Sequence, residues 1–497
     1  MDSLTLPSSI GIQNEDLGES LLTTDREANL NGSDEDEDER KNASREVVDE
    51  SDSSRTAIIY AYISVALADM NYSLLIPFFP KAALERHLKP GTIGILFAVF
   101  HLIHFLASFV SPKISEKYTG SNVLMYCNLS LSISSGLLSI TGMFRNPIVF
   151  FVSCFALRCL QGLFASIIEA TAGRLAMQNV RPDKMGETLS RLEGCRTLGT
   201  MTGPLLGGAL YKLIGYGGPF IGTSILQATI VLFMARYPIR NAQDACVPNE
   251  NETMRTSAMQ KRLLKSPIVI LTLLNVYILI LGITFIEPTL QPYLSSKPYN
   301  FNEFEVGLIF TFYLLLLGVS ATLSSIIVKF LGNIFSLFMG IFLMSSAYFL
   351  MAPPKNHPGP LSLFSSLHQS HEGGATGLLL GGLILLSLGG GLCFVPINLL
   401  LVFEGEYLRK SVLETSDAIA GLLNTSFTIG AALGPFLSGI FSGEYGFSRS
   451  CALLGLIIFI FDVTMLITYH GVQFTRFIYK LREITPEIIS DTPMTSS

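Results

Sequence analysis

From Thr56 onward the chain alternates apolar stretches of roughly 20 residues with short polar breaks, each stretch long enough to cross about 30 Å of hydrocarbon. Twelve such segments are read: 56–79, 91–111, 122–143, 148–175, 186–212, 218–236, 267–290, 304–328, 333–352, 377–402, 415–441 and 447–470. Backbone polar groups in lipid must be satisfied within their own segment, so each is expected to be a helix. The predicted fold is an all-α membrane protein of twelve transmembrane helices. The fifth segment is the most polar, since "ETLSRLEGCRTLG" is charged in its first half. No apolar run precedes Thr56, so no cleavable signal peptide is expected.

Charge sharpens the picture. Charged residues are 14% of the 497-residue chain, against about 25% in an ordinary soluble domain. Residues 1–55 hold 16 Asp and Glu against 5 Lys and Arg, a net of −11, which leaves +5 for residues 56–497 of the chain's −6. The organisation expected is a disordered acidic tail (1–55), six helices (56–236), a basic central loop (237–266), six helices (267–470) and a C-terminal tail (471–497). Roughly 17 Lys and Arg flank the helices on the side of the central loop and both termini, against about 8 on the other side, so both termini are expected to be cytosolic. Ser33, before four acids in "SDEDE", is a candidate for an acid-directed kinase. The seven cysteines show no metal or redox spacing and read as small apolar fillers.

The fifth and eleventh segments carry one cassette twice. "GTMTGPLLGG" begins at Gly199 and "GAALGPFLSG" at Gly430, both in the frame G-x-x-x-G-P-x-L-x-G. Gly199, Gly203 and Gly207 fall on one helix face and admit a neighbouring backbone. Gly208 ends the first cassette; Gly430, Gly434 and Pro435 repeat its core. Pro204 and Pro435 each remove a backbone bond and bend their helix. One GxxxG alone is ordinary packing. Two copies at matching places in the two halves mark parallel repeats.

The first cassette resembles the antiporter motif of the major facilitator superfamily, G-x-x-x-G-P-x-x-G-G, and "RCLQG" (158–162) resembles that superfamily's R-x-x-Q-G on helix four. Its loop motif between helices two and three survives only as "PKISEKYTG", where Glu116 and Lys117 stand in for Asp-Arg and the first Gly is missing. The closer resemblance is to the vesicular amine transporter family, carried by "LLIPFFPKAALE", "ALRCLQGLFASI", "GPLLGGALYKLIGYGGPF" and "FIEPTLQPYL" and covering most of 56–470. The short 80–90 loop is similar to the polyamine branch. The resemblance implies a major facilitator fold of two six-helix halves with a cation site near mid-membrane.

Ionisable residues inside a membrane are costly and are therefore functional candidates. Glu287, just before Pro288, falls on the family's helix-seven E-P-x-L acid; a carboxylate there can hold a cationic amine, or a proton where water is excluded, unless the lumen solvates it. Asp69 lies in the middle of the first segment, as a cation's counter-ion or as the partner of a Ser or Tyr. Arg158 matches the family's fourth-helix Arg and needs a carboxylate. Glu169, eleven residues on, and Glu193, an i,i+3 neighbour of Arg196, are the candidates, in a substrate network or in one that only holds helices together. His101 and His104 either pack or take part in proton coupling. Asp462 on the last helix reads as peripheral. Two departures stand out. "LGGGLCFVP" (388–396) has no acid, and the helix-eleven acid of the monoamine branch falls on Asn424, with Asp417 only near the cytosolic end.

No nucleotide, metal or catalytic motif emerges, since the glycine runs lie in lipid rather than in a strand-turn-helix. The expectation is a non-enzymatic, cofactor-free, monomeric carrier with no nucleic-acid partner. It exchanges luminal protons for a small organic amine, polyamine or monoamine, across an acidic secretory or synaptic vesicle membrane, driven by the proton gradient. A plasma-membrane proton-coupled exporter of drugs or organic cations shares the same motifs. A non-transporting receptor or scaffold has little use for Asp69, Arg158 and Glu287 inside the bilayer.

Overall fold

Proline and glycine punctuation sets most helix boundaries. In the structure, a computed structural model, the described residues are 54–181, 184–238, 258–297, 299–351, 372–407 and 412–490. The acidic tail with Ser33, most of the central loop and the 353–371 loop fall outside them, as do the side chains of Glu116 and Asp417. The long helices are α1 (54–73), α2 (Pro90–Ser108), α3 (Gly120–Thr141), α4 (Pro147–Gln178), α5 (Met185–Ile214), α6 (Gly217–Arg236), α7 (Pro267–Phe285), α8 (Glu303–Leu331), α9 (Asn333–Met351), α10 (Glu372–Tyr407), α11 (Val412–Tyr445) and α12 (Phe447–Ser490). Proline opens α2, α4 and α7, where its missing N–H costs nothing. Asn302 and Glu305 form a reciprocal cap at the start of α8.

Among the described residues, ten helices are long and apolar enough to cross a membrane. The two that fall short by that measure are α1 and α5, and these carry Asp69, Glu193 and Arg196 in their length. With them the bundle has twelve spanning helices in two halves, α1–α6 and α7–α12.

One expectation is corrected. Segments 56–79 and 267–290 read as unbroken helices in the sequence, but both are interrupted. The first opens into turns at 74–78 and resumes as a short helix, Phe79–Leu84; α7 opens at 286–289 and resumes as Leu290–Ser295. Pro77 and Pro288 lie in these breaks and withhold a backbone donor. The first helix of each half is therefore broken at a corresponding point.

The cassettes explain how the halves are packed. A Cβ at Gly199, Gly203 or Gly207 would collide with Ala66, Met70 or Ser73 of α1 or with Leu74 in the turn that follows it. A Cβ at Gly430 or Gly434 would collide with α7 at Tyr277, Leu281 or Thr284. So α5 lies on α1 as α11 lies on α7. The last glycine of each cassette faces the other half: Gly208 meets Glu303 and Phe304 of α8, and Gly439 meets Pro90 and Gly94 of α2. Cross-half packing runs through α5–α8, α2–α11 and the two short helices beyond the breaks. Lys81 Nζ pairs with Glu303 Oε1 at 2.8 Å, and Lys81 N donates to Gln291 Oε1 at 2.9 Å. These contacts draw the halves together at the face carrying the α1–α2 connection, the α1–α2 face. The opposite face carries the α6–α7 link.

Candidate substrate site

Polar side chains inside the bundle form two layers, joined by α1 and α2. The first is built around the break in α7. Glu287 sits in its turns, where its N–H reaches back only to Thr284 O at 3.2 Å, and its side chain is 9% exposed. The Tyr72 hydroxyl, one residue short of the end of α1, donates to Glu287 Oε2. This hydrogen bond crosses between the halves at their two broken helices.

Arg158 lies beside this pair and is 1% exposed. Its guanidinium centre stands 5.3 Å from the Tyr72 ring and 4.6 Å from the Phe100 ring, an arrangement that favours a cation. Nη1 donates to Gln161 Oε1 at 3.1 Å and Nε to Leu96 O at 3.5 Å, while Nη2 has no hydrogen-bond partner. Gln161 Nε2 in turn donates to Ser135 Oγ at 3.2 Å, and Asn71 Nδ2 to the same oxygen at 2.8 Å. Gly162 completes the motif because a Cβ there would strike Phe100 O of α2. The three motif residues of "RCLQG" thus divide the work: Arg158 is a stacked cation, Gln161 its hydrogen-bonded tether and Gly162 a close helix contact.

The second layer lies within the N-terminal half. Arg196 of α5 bonds Glu169 of α4 through Nη2, and its Nε stands 3.4 Å from Asp69 Oδ2 and 3.7 Å from Glu193 Oε2. The other Glu169 oxygen, Oε2, is 2.9 Å from His104 Nε2 of α2. Side-chain exposure is 34% for Asp69, 27% for Glu169 and Arg196, 14% for His104 and 54% for Glu193. This layer is part-exposed, in contrast to Arg158. Asp69 and Tyr72 are i,i+3 neighbours on α1, so this helix contributes a side chain to each layer.

The expected neutralisation of Arg158 by Glu169 or Glu193 is not what forms. Eleven residues along a helix restore the same face but also advance about 16 Å along the axis, farther than the two side chains reach. Glu169 instead meets Arg196, and Glu193 flanks Arg196 from one turn away. Tyr72 is not among the candidates the sequence suggests, although its i,i+3 spacing from Asp69 is a visible signal. Asn424 is exposed on α11 and stands outside both layers. His101 packs edge-on to Tyr72, with ring centroids 4.4 Å apart. Asp462 is 7% exposed on α12, so it is buried rather than peripheral. A tenth-helix acid also escapes the sequence reading: Glu404 is buried and accepts from Ser266 Oγ at 2.6 Å.

Residues 61–405 match the family model described as Major Facilitator Superfamily. The MFS-type transporter SLC18B1 of Rattus norvegicus is 26% identical over 82% of this chain and 86% of its own length, in keeping with the resemblance to the vesicular amine transporter family. Among solved structures, a bacterial homolog of the human lysosomal transporter Spinster, inward-facing and unoccupied, superposes with a TM-score of 0.64 at 10% identity, over 84% of this chain and 96% of that one. The nucleoside transporter NupG superposes with a TM-score of 0.61 at 12% identity, over 84% and 99%.

Proposed function

Because the chain belongs to the Major Facilitator Superfamily, and is a multi-pass membrane transporter of that family, we propose that it is an antiporter that exchanges protons for a small organic amine by alternating access. The observation that carries this reading is that α1 brings one carboxylate, Asp69, and three residues on the phenol that holds a second, Tyr72 with Glu287, into the bundle. Glu287 is held by Tyr72, and Asp69 is part-exposed beside Arg196. A cation entering a low-dielectric interior needs counter-charge. We place the ammonium group between Asp69 and Glu287, with Arg158 setting the charge balance beside Glu287. Glu193 stands at the edge of the site, and Asn424 is assigned no contact with the amine.

The cassettes supply the moving joint. Glycine contacts at α5–α1 and α11–α7 hold each half together, while Gly208 and Gly439 meet the opposite half at the face that must part. We take the α6–α7 face as cytosolic, on the Lys/Arg distribution, and the membrane as that of an acidic intracellular vesicle. No cofactor beyond the proton gradient is invoked, and a single chain suffices.

The test is uptake by the purified protein in liposomes with an imposed inside-acid gradient. The panel is spermine, spermidine, serotonin and acetylcholine. Accumulation of at least one amine that collapses with the gradient is the expected result. If no amine in the panel is accumulated or exchanged, the amine reading fails.

A further inference from the structure

We propose that the exchanged proton is carried by the His104–Glu169 pair, on α2 and α4, and not by the acids that hold the amine. Arg196 couples the two. The inference rests on the amine reading and goes beyond it by separating the two sites.

Charge balance is the argument. The enclosed part of the second layer is Asp69, Glu169, Arg196 and His104. With both acids ionised and Arg196 always charged, this set carries one excess negative charge when His104 is neutral and none when His104 is an imidazolium. An ammonium beside Asp69 supplies the same single positive charge. One added cation neutralises the set and a second overcharges it, so bound amine and imidazolium disfavour each other. Upon amine arrival the proton leaves the imidazole nitrogen for water; upon amine departure it returns.

The geometry supplies the link. Arg196 contacts Asp69 and Glu169 at once, and Glu169 uses its other oxygen for His104. A cation that takes over Asp69 frees Arg196 to bind Glu169 more fully, which weakens the hold of Glu169 on a charged His104. Imidazole is also the side chain that exchanges its proton between pH 5 and 8. The remaining ionisable groups facing the pair do not alter the balance. Arg158 on α4 lies beside the Tyr72–Glu287 pair in the other layer, Glu193 on α5 is more than half exposed, and His101 on α2 is half-buried with Nε2 unpartnered against the Tyr72 and Phe100 rings.

The experiment uses the full chain in liposomes with spermidine, measuring uptake driven by an inside-acid gradient beside spermidine counterflow without a gradient. His104→Gln keeps polarity and loses the proton. Its counterflow should stay within about twofold of wild type, while gradient-driven accumulation falls roughly tenfold, to the no-gradient level. Added spermidine should release about one proton per wild-type chain in weak buffer, and none from His104→Gln. Gradient-driven uptake by His104→Gln within about twofold of wild type overturns the proposal. So does loss of counterflow together with uptake in a variant that elutes as wild type, because His104 would then belong to the amine site. Should His104→Gln fail to fold, Glu169→Gln must flatten the pH profile of uptake, and an unchanged profile overturns the proposal. Wild-type counterflow separates the two readings. Its absence for every panel amine defeats the amine reading and this inference with it; its presence with unaltered His104→Gln uptake defeats this inference alone.

Discussion

The Tyr72 hydroxyl of α1 donates a hydrogen bond to the Glu287 carboxylate in the break of α7. Both residues stand where the first helix of a half gives way to turns, so one side-chain contact joins the two interruptions. Unwound backbone is tolerated at membrane depth only when it is buried in protein or lines a cavity. A buried acid in such a break, held by one phenol and close to a buried guanidinium, is poised to accept a cation.

Glu287→Gln tests that placement. The substitution keeps shape and hydrogen bonding but removes the buried carboxylate that lies nearest the positive Arg158 on the far side of Tyr72, so an ammonium meets uncompensated positive charge. Arg158 and Glu287 are not in direct contact, but a buried charge left uncompensated costs on the order of 3 kcal/mol, so both gradient-driven uptake and counterflow should fall at least about a hundredfold. Glu287→Asp should retain part of both. Normal counterflow by the Gln variant would remove Glu287 from the amine site. The contrast with His104→Gln, which spares counterflow, distinguishes an amine site from a proton site.

Arg158→Lys asks whether a positive charge alone is enough. Lysine keeps the charge but loses the flat surface between Tyr72 and Phe100 and the fork that reaches Gln161 and Leu96. Uptake should drop about tenfold, at unchanged expression, for a loss of roughly 1–2 kcal/mol of stacking and hydrogen bonding. Wild-type transport would make Arg158 a charge without a geometric role.

Gly203→Leu and Gly439→Leu should fail in different ways. Gly203 faces α1 within its own half, while Gly439 faces α2 across the joint. Overpacking costs about 1–3 kcal/mol. At Gly203 the cost falls on folding in every state, and thermal stability in detergent should drop. At Gly439 it falls on one state, the one closed at the α1–α2 face, so stability should hold while transport is lost. Equal destabilisation by both would contradict the distinction.

Much of this arrangement is legible in the chain. Twelve segments follow from apolar length, and the cassette spacing of Gly199 and Gly430 exposes the repeat. The breaks are not legible, because Pro77 lies inside an apolar run and the polar residues around Pro288 read as the ordinary end of a segment. Nor are the partners of the charges. Helical spacing places Arg158 and Glu169 on one face of α4, but the rotation of α5 that brings Arg196 to Glu169 is set by glycines packed on α1. Asp69 and Glu287 can be named from position; that Tyr72 links their layers depends on two helices ending at the same depth.

Lys81 and Glu303 give the last prediction, which concerns the closed face. Their 2.8 Å ion pair ties the short helix after α1 to the start of α8, across the halves. Lys81 is 38% exposed, so solvent screens the pair and its contribution is small, about 0.2–1 kcal/mol. That is too little to hold the fold but enough to bias two states by up to about fivefold. Lys81→Glu should therefore open the α1–α2 face without unfolding the protein, and like charges facing Glu303 should enlarge the effect. Ser442, beside Pro288, Thr289 and Leu84, lines a cavity of about 230 Å³ beneath that face. A Ser442→Cys reporter in a background with the native cysteines replaced should react faster with a membrane-impermeant maleimide when Lys81→Glu is added. The charge swap Lys81→Glu with Glu303→Lys should restore the slower rate, because it rebuilds the pair with its sign reversed. If Lys81→Glu left the labelling rate unchanged, closure at this face would rest on the glycine contacts of Gly94, Gly208 and Gly439 and on the backbone hydrogen bond from Lys81 N to Gln291. If the swap failed to restore it, the effect of Lys81 would be steric rather than electrostatic.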